Sequence, residues 1–252
     1  MTRHLKTVLL GANVASAKYL LKTDTKGFLD ACYRSLNSAR PAVEELAEIP
    51  VVDLEDILEG KDPMIRLVVA KGSDGSLPRN QAIALLSILV AEQPKEVLEI
   101  GTFMGTTTRH LAENLPDATI HTVDLPEDFD PGDAAKINVD DIHLVGKRTV
   151  GRDYLGTSVE GRIKQHFGDT ATWDFSQAGN PTFFWIDGAH TYEYCKQDSE
   201  KCFELCGGRG VFLWHDCNTR HPGVPKFVME WRAMGRDIRR INGTPICYWK
   251  SI

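Results

Sequence analysis

The stretch Glu96-Val-Leu-Glu-Ile-Gly101-Thr-Phe-Met-Gly105-Thr-Thr-Thr108 decides the fold. Its first five residues have the composition of a short buried strand, and its two glycines allow a tight turn. A helix is predicted to follow and to run through His110 and Leu111. A strand, a glycine turn and a helix in this order form the first unit of a parallel α/β sheet.

The sequence after this unit repeats the alternation of strands and helices. Further strands are predicted at 119–124, 163–167, 182–187 and 210–215, with helices at 190–206 and 227–234. Residues 238–241 and 245–249 predict a closing hairpin around Asn242-Gly243, a favoured tight turn. The pattern predicts a Rossmann-like, doubly wound α/β sheet of seven strands, mostly parallel, with an antiparallel C-terminal edge hairpin.

The chain before the sheet has a different pattern of apolar residues. Residues 1–75 predict a helical N-terminal extension, because their apolar residues follow helical stripes that prolines interrupt, and residues 76–252 then form the sheet domain. Within the sheet domain, the connection at 126–161 is long for an α/β unit, which indicates a lid or substrate-binding segment; the alternative is a solvated surface excursion. Arg152 and Tyr154 are the candidates for substrate selection in that connection.

The overall composition narrows the function classes. Lys and Arg total 29 against 35 Asp and Glu, a formal net charge of -6, so the chain lacks the broad positive field that non-specific nucleic-acid binding uses. No stretch approaches the ~20 apolar residues of a membrane span. The six cysteines show no C-x-x-C spacing. We expect a cytoplasmic protein with reduced thiols and no nucleic-acid or membrane partner, and a homo-oligomer is left open.

The unusual residues lie at the predicted carboxyl ends of the strands, where such sheets bind ligands. Asp124 ends the second strand at the distance expected of a carboxylate that holds ribose hydroxyls. The dinucleotide fingerprint G-x-G-x-x-G fails, because Phe103 and Thr106 stand at two of its glycine positions. Glu99 suits a cationic amino acid better than a pyrophosphate, so the pattern disfavours NAD.

These residues resemble a known family. Glu99-x-Gly101-x-x-x-Gly105, with Asp124, resembles the S-adenosylmethionine (SAM) loop of class I methyltransferases. Asp187-Gly-Ala-His190-Thr-Tyr192, followed by Trp214-His-Asp216, is similar to a subgroup of small-molecule O-methyltransferases that includes enzymes acting on antibiotic sugars. The resemblance covers roughly residues 75–250 and makes residues 76–252 a class I methyltransferase domain.

The resemblance also implies where SAM binds. It implies that Glu99 and the Gly101–Gly105 backbone hold the methionine part, Asp124 the ribose and Asp169 the adenine. The full predicted cofactor set is Glu99, Gly101, Thr102, Phe103, Gly105, Thr106, Asp124, Asp169 and Asp187. The alternative for Glu99 and Asp124 is that they are solvated turn carboxylates.

Two carboxylates indicate a metal site. In the strand order that the resemblance implies, Asp187 and Asp216 end neighbouring strands, about 4.8 Å apart at one strand spacing, and such a pair needs a shared proton or a cation. Asn218 offers a third oxygen, and the three together suit Mg²⁺, which would lower the pKa of a substrate hydroxyl. Asp216-Cys-Asn218 departs from the Asp-Asn adjacency of related enzymes. The alternative is a pair of acidic turns that orient loops.

The candidate catalytic residues are His190, His215 and Asp187. Histidine titrates near neutrality, so His190 and His215 are the candidate general bases, with His221 a weaker one. The alternative for each histidine is a structural, hydrogen-bonded role. The sequence therefore predicts a SAM-dependent methyltransferase of a small molecule, most consistent with O-methylation. An NAD-linked oxidoreductase and a non-catalytic nucleotide-binding module of the same fold are the rival functions.

Overall fold

The structure, a computed structural model, describes residues 44–68, 76–129 and 148–251. In these ranges the strands are β1 (Val51–Val52), β2 (Glu96–Ile100), β3 (Thr119–Asp124), β4 (Ile163–Phe167), β5 (Phe183–Ile186), β6 (Gly210–Trp214), β7 (Arg239–Ile241) and β8 (Cys247–Ser251). Residues 44–48 are helical, and the further α-helices are α1 (Leu54–Leu58), α2 (Arg79–Glu92), α3 (Thr106–Asn114), α4 (Tyr192–Leu205) and α5 (Gly223–Ala233).

All the described strands join in one sheet of order β1-β7-β8-β6-β5-β2-β3-β4. The chain runs outward from β2 to β3 and β4, then returns to place β5 and β6 on the other side of β2. These five strands are parallel, and Ile100 pairs with both Val123 and Ile186. Because the strand tips are in register, the loops after β2, β3 and β5 open on one edge at a topological switch point.

Alternate side chains of the central strands build a core on each face of the sheet. Trp185 and Val97 pack on one face with the apolar side of α2. Phe184 and Trp214 pack on the other face with residues of α4 and α5. Every residue of β5 and β6 is buried, as expected for parallel strands covered by helices on both sides.

The predicted doubly wound sheet with an antiparallel C-terminal hairpin is confirmed, since β7 and β8 pair antiparallel with Arg239 opposite Tyr248. The strand number differs: the described residues form eight strands, because Val51–Val52 pairs in parallel with β7. This two-residue strand, which lies in the predicted helical extension, is too short to produce a period-2 pattern in the sequence.

Some predictions fall outside the described residues: the helices before residue 44, the turn at 71–75 and the middle of the connection at 126–161. Cys32 also lies there, whereas the other five cysteines are free thiols. No helix within the described ranges has the length and apolarity needed to cross a membrane. The boundary between the extension and the sheet domain, placed at residues 75 and 76, stays a prediction.

Candidate functional site

A cavity of about 750 Å³ opens at the carboxyl ends of the parallel strands. Its walls come from the start of α2 and from the loops that follow β2 to β6. Of the predicted site residues, the cavity is lined by Gly101, Thr102, Phe103, Gly105, Thr106, Asp124, Asp169, Asp187, His190, His215, Asp216, Asn218 and His221. The predicted cofactor and catalytic residues therefore share one cleft, with Glu99 behind its wall.

The two glycines of the loop after β2 are required by protein contacts. Gly101 has φ +97°, and a Cβ there would lie 2.1 Å from the main-chain oxygen of Asp187. Gly105 has φ +79°, and a Cβ there would lie 2.6 Å from the Tyr154 ring. The glycines thus let this loop, which we call the donor loop (residues 101–105), approach neighbouring backbone and side chains.

Tyr154, a predicted substrate-selecting residue, supports the donor loop from behind. Its side chain is buried against Gly105 and Gly151, and its hydroxyl donates to Gln165 Oε1 at 2.7 Å. It does not line the cavity. Arg152, the other candidate, is half exposed and contacts Asp153. Neither position fits the predicted role in substrate selection, because both side chains are used outside the cleft.

Glu99 is fully buried beneath the donor loop. Its Oε2 accepts hydrogen bonds from Thr108 Oγ1 at 2.5 Å and from Thr122 Oγ1 at 2.6 Å. Its Oε1 makes no hydrogen bond with any described residue. Burial raises the pKa of this carboxyl to about 8, although the two hydroxyl donors oppose the shift. The predicted contact with the methionine part of SAM stays a prediction, since Glu99 lies outside the cavity lining.

Asp124 ends β3 and faces the cavity with both oxygens engaged. Oδ2 accepts from the Phe103 amide at 2.6 Å, and Oδ1 accepts from the Leu125 amide at 2.7 Å. The guanidinium of Arg148, itself buried, also contacts Oδ1. Asp124 therefore fixes the backbone of Phe103, whose φ of 51° is unusual for a non-glycine residue. It also holds the Arg148 guanidinium at this end of the cavity.

Asp169 lies beyond β4 at the same end. Its Oδ1 accepts from the Ala171 amide at 2.9 Å and from the Tyr194 hydroxyl at 3.0 Å. Both Asp169 and Tyr194 line the cavity. Their positions agree with the adenine site that the family resemblance implies, a role that stays a prediction.

The opposite end of the cavity is a cluster of imidazoles and carboxylates. His215 Nδ1 lies 2.8 Å from Asp187 Oδ1 and 3.3 Å from Asp216 Oδ2. Burial would lower the pKa of His215, but the charge and hydrogen bond of Asp187 raise it to about 10. In this geometry an imidazolium neutralises the two carboxylates that the sequence places side by side.

The other nitrogen of His215 contacts α2. Gln81 Oε1 lies 2.6 Å from His215 Nε2, across 134 positions of sequence. Sequence reasoning missed Gln81. In the sequence Gln81 is one of three consecutive polar residues that begin α2, and solvent exposure is the ordinary explanation of such residues. Arg148 was missed because it lies in the long connection, whose pattern assigns no fixed structure.

His190 contacts the same cluster from the loop before α4. Its Nε2 lies 3.1 Å from Asp216 Oδ2 and 3.7 Å from Asp187 Oδ1. Burial would raise the pKa of Asp216, but hydrogen bonds from His190 and His215 hold it well below its usual range. Asp216 has φ 54°, a left-handed conformation that costs a non-glycine residue roughly 1–3 kcal/mol and is concentrated at functional sites.

The His221 ring lies beside His190 at a tilt of 45°, with ring centroids 4.2 Å apart and Nε2 3.7 Å from Asp216 Oδ2. Gly223 makes this approach possible, since a Cβ there would lie 2.4 Å from the His190 main-chain oxygen. The start of α5 therefore packs directly on the backbone of the loop before α4.

Asn218, the predicted third metal ligand, mainly shapes the loop. Its Oδ1 accepts from the amides of Arg220 at 2.8 Å and His221 at 3.3 Å. Its Nδ2 donates to Asp216 Oδ1 at 3.0 Å. The amide oxygen is thus occupied by backbone donors, so Asn218 is poorly placed as a metal ligand, and its role as one stays a prediction.

Comparison with known families gives one match: residues 98–217 match a family described as a methyltransferase domain. Comparison with curated proteins gives no significant match. The matched residues contain the donor loop, Asp124, Asp169, His190 and Asp216. The match confirms the predicted methyltransferase class for this segment.

Solved structures share the fold at low sequence identity. The O-methyltransferase TomG from Streptomyces achromogenes, solved with SAM, is 17% identical with a TM-score of 0.50, over 70% of this chain and 82% of that one. The methyltransferase PaMTH1 from Podospora anserina, solved with SAH, is 15% identical with a TM-score of 0.54, over 71% and 81%. The segment that matches a methyltransferase domain therefore supplies most of the lining of the cleft, on a fold shared with solved methyltransferases.

Proposed function

We propose that this chain transfers a methyl group from SAM to a hydroxyl group of a small molecule. The observation that carries the proposal is that the donor loop and the His190–Asp216 pair line the same cavity. A binding site for the methyl donor and a group able to take a proton are the two parts that O-methylation needs.

The donor end has the features that SAM binding requires. Backbone in the left-handed region at Gly101, Phe103 and Gly105 leaves a shaped surface at the N-terminus of α3, and Asp124 and Asp169 offer carboxylates for hydroxyl and amine groups. When bound, SAM supplies an electrophilic methyl group on a sulfonium. Asp124 would hold the ribose and Asp169 the adenine.

The acceptor end prepares the hydroxyl. His190 accepts the hydroxyl proton, and Asp216, 3.1 Å from Nε2, stabilises the imidazolium that results. The acceptor oxygen forms a bond to the methyl carbon while the carbon–sulfur bond breaks, which leaves S-adenosylhomocysteine. His215 is a poorer base, because Asp187 and Gln81 engage both of its nitrogens.

The predicted divalent cation stays part of the proposal. Asp187 and Asp216 fit such an ion, since one carboxylate oxygen of each lies within 4.8 Å of the other and each approaches His215 Nδ1. A bound Mg²⁺ would lower the pKa of the acceptor hydroxyl. Asn218 fits less well, because its oxygen accepts two backbone N–H groups.

The Asp187-Gly-Ala-His190-Thr-Tyr192 motif supports assignment to the O-methyltransferase subgroup with that motif. Asp187 and His190 belong to the reactive cluster, whereas Tyr192 hydrogen-bonds Glu230 on the surface between α4 and α5. We further infer a cytoplasmic protein, from the composition and the reduced cysteines.

Calorimetric titration with SAM, and separately with NAD(H), tests the donor. We expect SAM to bind and NAD(H) not to bind; the reverse would make the chain an oxidoreductase. Methyl transfer is then measured with radiolabelled SAM and a pool of hydroxylated metabolites. Labelled product that disappears in His190→Ala supports the proposal, and SAM binding without transfer to any acceptor favours a non-catalytic module.

A further inference from the structure

One face of α4 holds the turn that follows β4. The Tyr194 hydroxyl donates to Asp169 Oδ1 at 3.0 Å, and Gln197 Nε2 donates to the main-chain oxygen of Thr170 at 2.9 Å. Positions 194 and 197 are three apart and therefore share a face of the helix. We propose that Tyr194 determines the specificity of the cleft for an amino-substituted purine, because it sets which oxygen of Asp169 faces the cavity. The inference rests on the proposed function, in which Asp169 holds the adenine of SAM.

The two oxygens of Asp169 have different surroundings. Oδ1 accepts from the Ala171 amide at 2.9 Å and from the Tyr194 hydroxyl, whereas no donor among the described residues hydrogen-bonds Oδ2. Because Asp169 lines the cavity, Oδ2 is the oxygen left for a ligand. An ionised carboxylate only accepts hydrogen bonds, so Oδ2 matches the exocyclic amine of adenine. A purine with an oxo group at that position would bring two acceptors together.

Tyr194 is suited to hold one orientation of this carboxylate. Its side chain is buried, and burial together with the bond to Asp169 raises the pKa of the phenol to about 12. The hydroxyl therefore keeps its proton and donates throughout the neutral pH range. Without this donor, Oδ1 keeps only the Ala171 amide, and the carboxylate gains freedom about its terminal torsion, which has broad energy wells. Oδ2 is then no longer held toward the purine.

The backbone of the turn does not depend on Tyr194. The main-chain oxygen of Asp169 accepts from the amides of Thr172 at 2.9 Å and Trp173 at 2.8 Å. Gln197 holds the next residue of the turn through a separate hydrogen bond. Loss of the phenol oxygen should therefore change the orientation of one carboxylate and leave the turn in place.

Tyr192 provides a matched control on the same helix. Its hydroxyl also donates to a carboxylate, that of Glu230, but it lies on the surface between α4 and α5 and does not line the cavity. Tyr192→Phe removes the same atom from the same kind of bond. An effect of Tyr194→Phe that Tyr192→Phe lacks therefore belongs to the cavity.

Calorimetric titration with S-adenosylhomocysteine and with S-inosylhomocysteine, its 6-oxo analogue, tests the inference on the full chain. We expect the parent protein and Tyr192→Phe to prefer the adenosyl compound by at least about tenfold. In Tyr194→Phe this preference should fall roughly 3- to 10-fold, the usual contribution of one hydrogen bond. A purely structural role for Tyr194 would weaken the binding of both compounds equally and leave the preference unchanged.

Asp169→Asn checks that Tyr194 acts through this carboxylate. A carboxamide can turn its N–H group toward a 6-oxo group, so the preference for the adenosyl compound should disappear. Adding Tyr194→Phe to Asp169→Asn should then change the preference no further.

Three results would overturn the inference: equal affinity of the parent protein for both compounds, an unchanged preference in Tyr194→Phe, or an unchanged preference in Asp169→Asn. The last decides the question if Tyr194→Phe does not fold. Failure of the parent protein to bind S-adenosylhomocysteine would overturn the proposed function as well, so the two failures are distinguishable.

Discussion

The two ends of the cavity are built on different principles. At the donor end, Asp124 and Glu99 accept hydrogen bonds from the protein's own amides and hydroxyls, and glycines allow close backbone packing. At the acceptor end, two carboxylates and three imidazoles crowd together, and Asp216 has a left-handed backbone. The donor end is shaped by packing, whereas the acceptor end concentrates charge, so substitutions at the two ends should affect different measurements.

The largest loss of stability is expected where the donor loop packs against the backbone of Asp187, between the two ends of the cavity. In Gly101→Ala the new Cβ would lie 2.1 Å from the Asp187 main-chain oxygen, at a φ of +97°. We expect the variant to lose more than about 4 kcal/mol of unfolding free energy or to fail to fold. Urea denaturation measures the loss.

Gly156→Ala is the matched control, since Gly156 has φ +73° but nothing within 4 Å of a new Cβ. It should cost only the backbone strain, about 1 kcal/mol. Equal losses in the two variants would show that the contact between the donor loop and Asp187 is not needed.

His190→Ala tests the acceptor end alone. We expect kcat to fall roughly 10²- to 10⁴-fold, the usual contribution of a general base, while the affinity for SAM stays within twofold. Kinetics and calorimetry on one preparation separate the two quantities. His166→Ala, a histidine outside the cavity, is the control and should change neither. A His190→Ala enzyme with full kcat would remove the proposed base.

Asp124→Ala tests the donor end alone. Loss of a charge-assisted hydrogen bond worth about 1.5–3 kcal/mol should weaken SAM binding roughly ten- to a hundredfold. Because Arg148 loses its carboxylate partner, unfolding is measured alongside affinity. Exposed Asp117→Ala serves as the control. An unchanged dissociation constant would contradict the assignment of this end to the methyl donor.

The last effect, the smallest over any one pH unit, concerns the buried carboxyl behind the donor loop. The pKa of Glu99 is raised to about 8 in the folded chain, so between its ordinary value and pH 8 the folded state binds more protons than the unfolded state. The free energy of unfolding should then fall as pH rises, by up to about 1.4 kcal/mol per pH unit from this group.

Glu99→Gln should abolish this part of the slope and be relatively more stable above pH 8 than below pH 5. Urea denaturation across pH 5–9 measures it, with Glu204→Gln, an exposed surface change, as the control. Parallel stability profiles for the parent and Glu99→Gln would show that Glu99 is not protonated in the fold.

The sequence predicts the sheet well, because strand composition and glycine turns are local signals. It places Asp187, His190, His215 and Asp216 in one cleft because parallel strand tips meet at one edge. Side-chain partners across the cleft are not local. The Gln81–His215 contact spans 134 positions, and the reason for Gly105 is the Tyr154 ring, 49 residues later. The residue pattern around each of these positions does not predict which distant side chain it contacts.

The contact between Gln81 and His215 also has a consequence for sequence evolution and for protein engineering. The segment that matches a methyltransferase domain begins at residue 98, yet Gln81, on a helix before it, contacts His215 in the cavity. A chimera that takes the sheet from one chain and α2 from a related chain would separate His215 from Gln81, its hydrogen-bond partner. We therefore expect positions 81 and 215 to covary among related chains. A chimera that carries this cleft should also need α2.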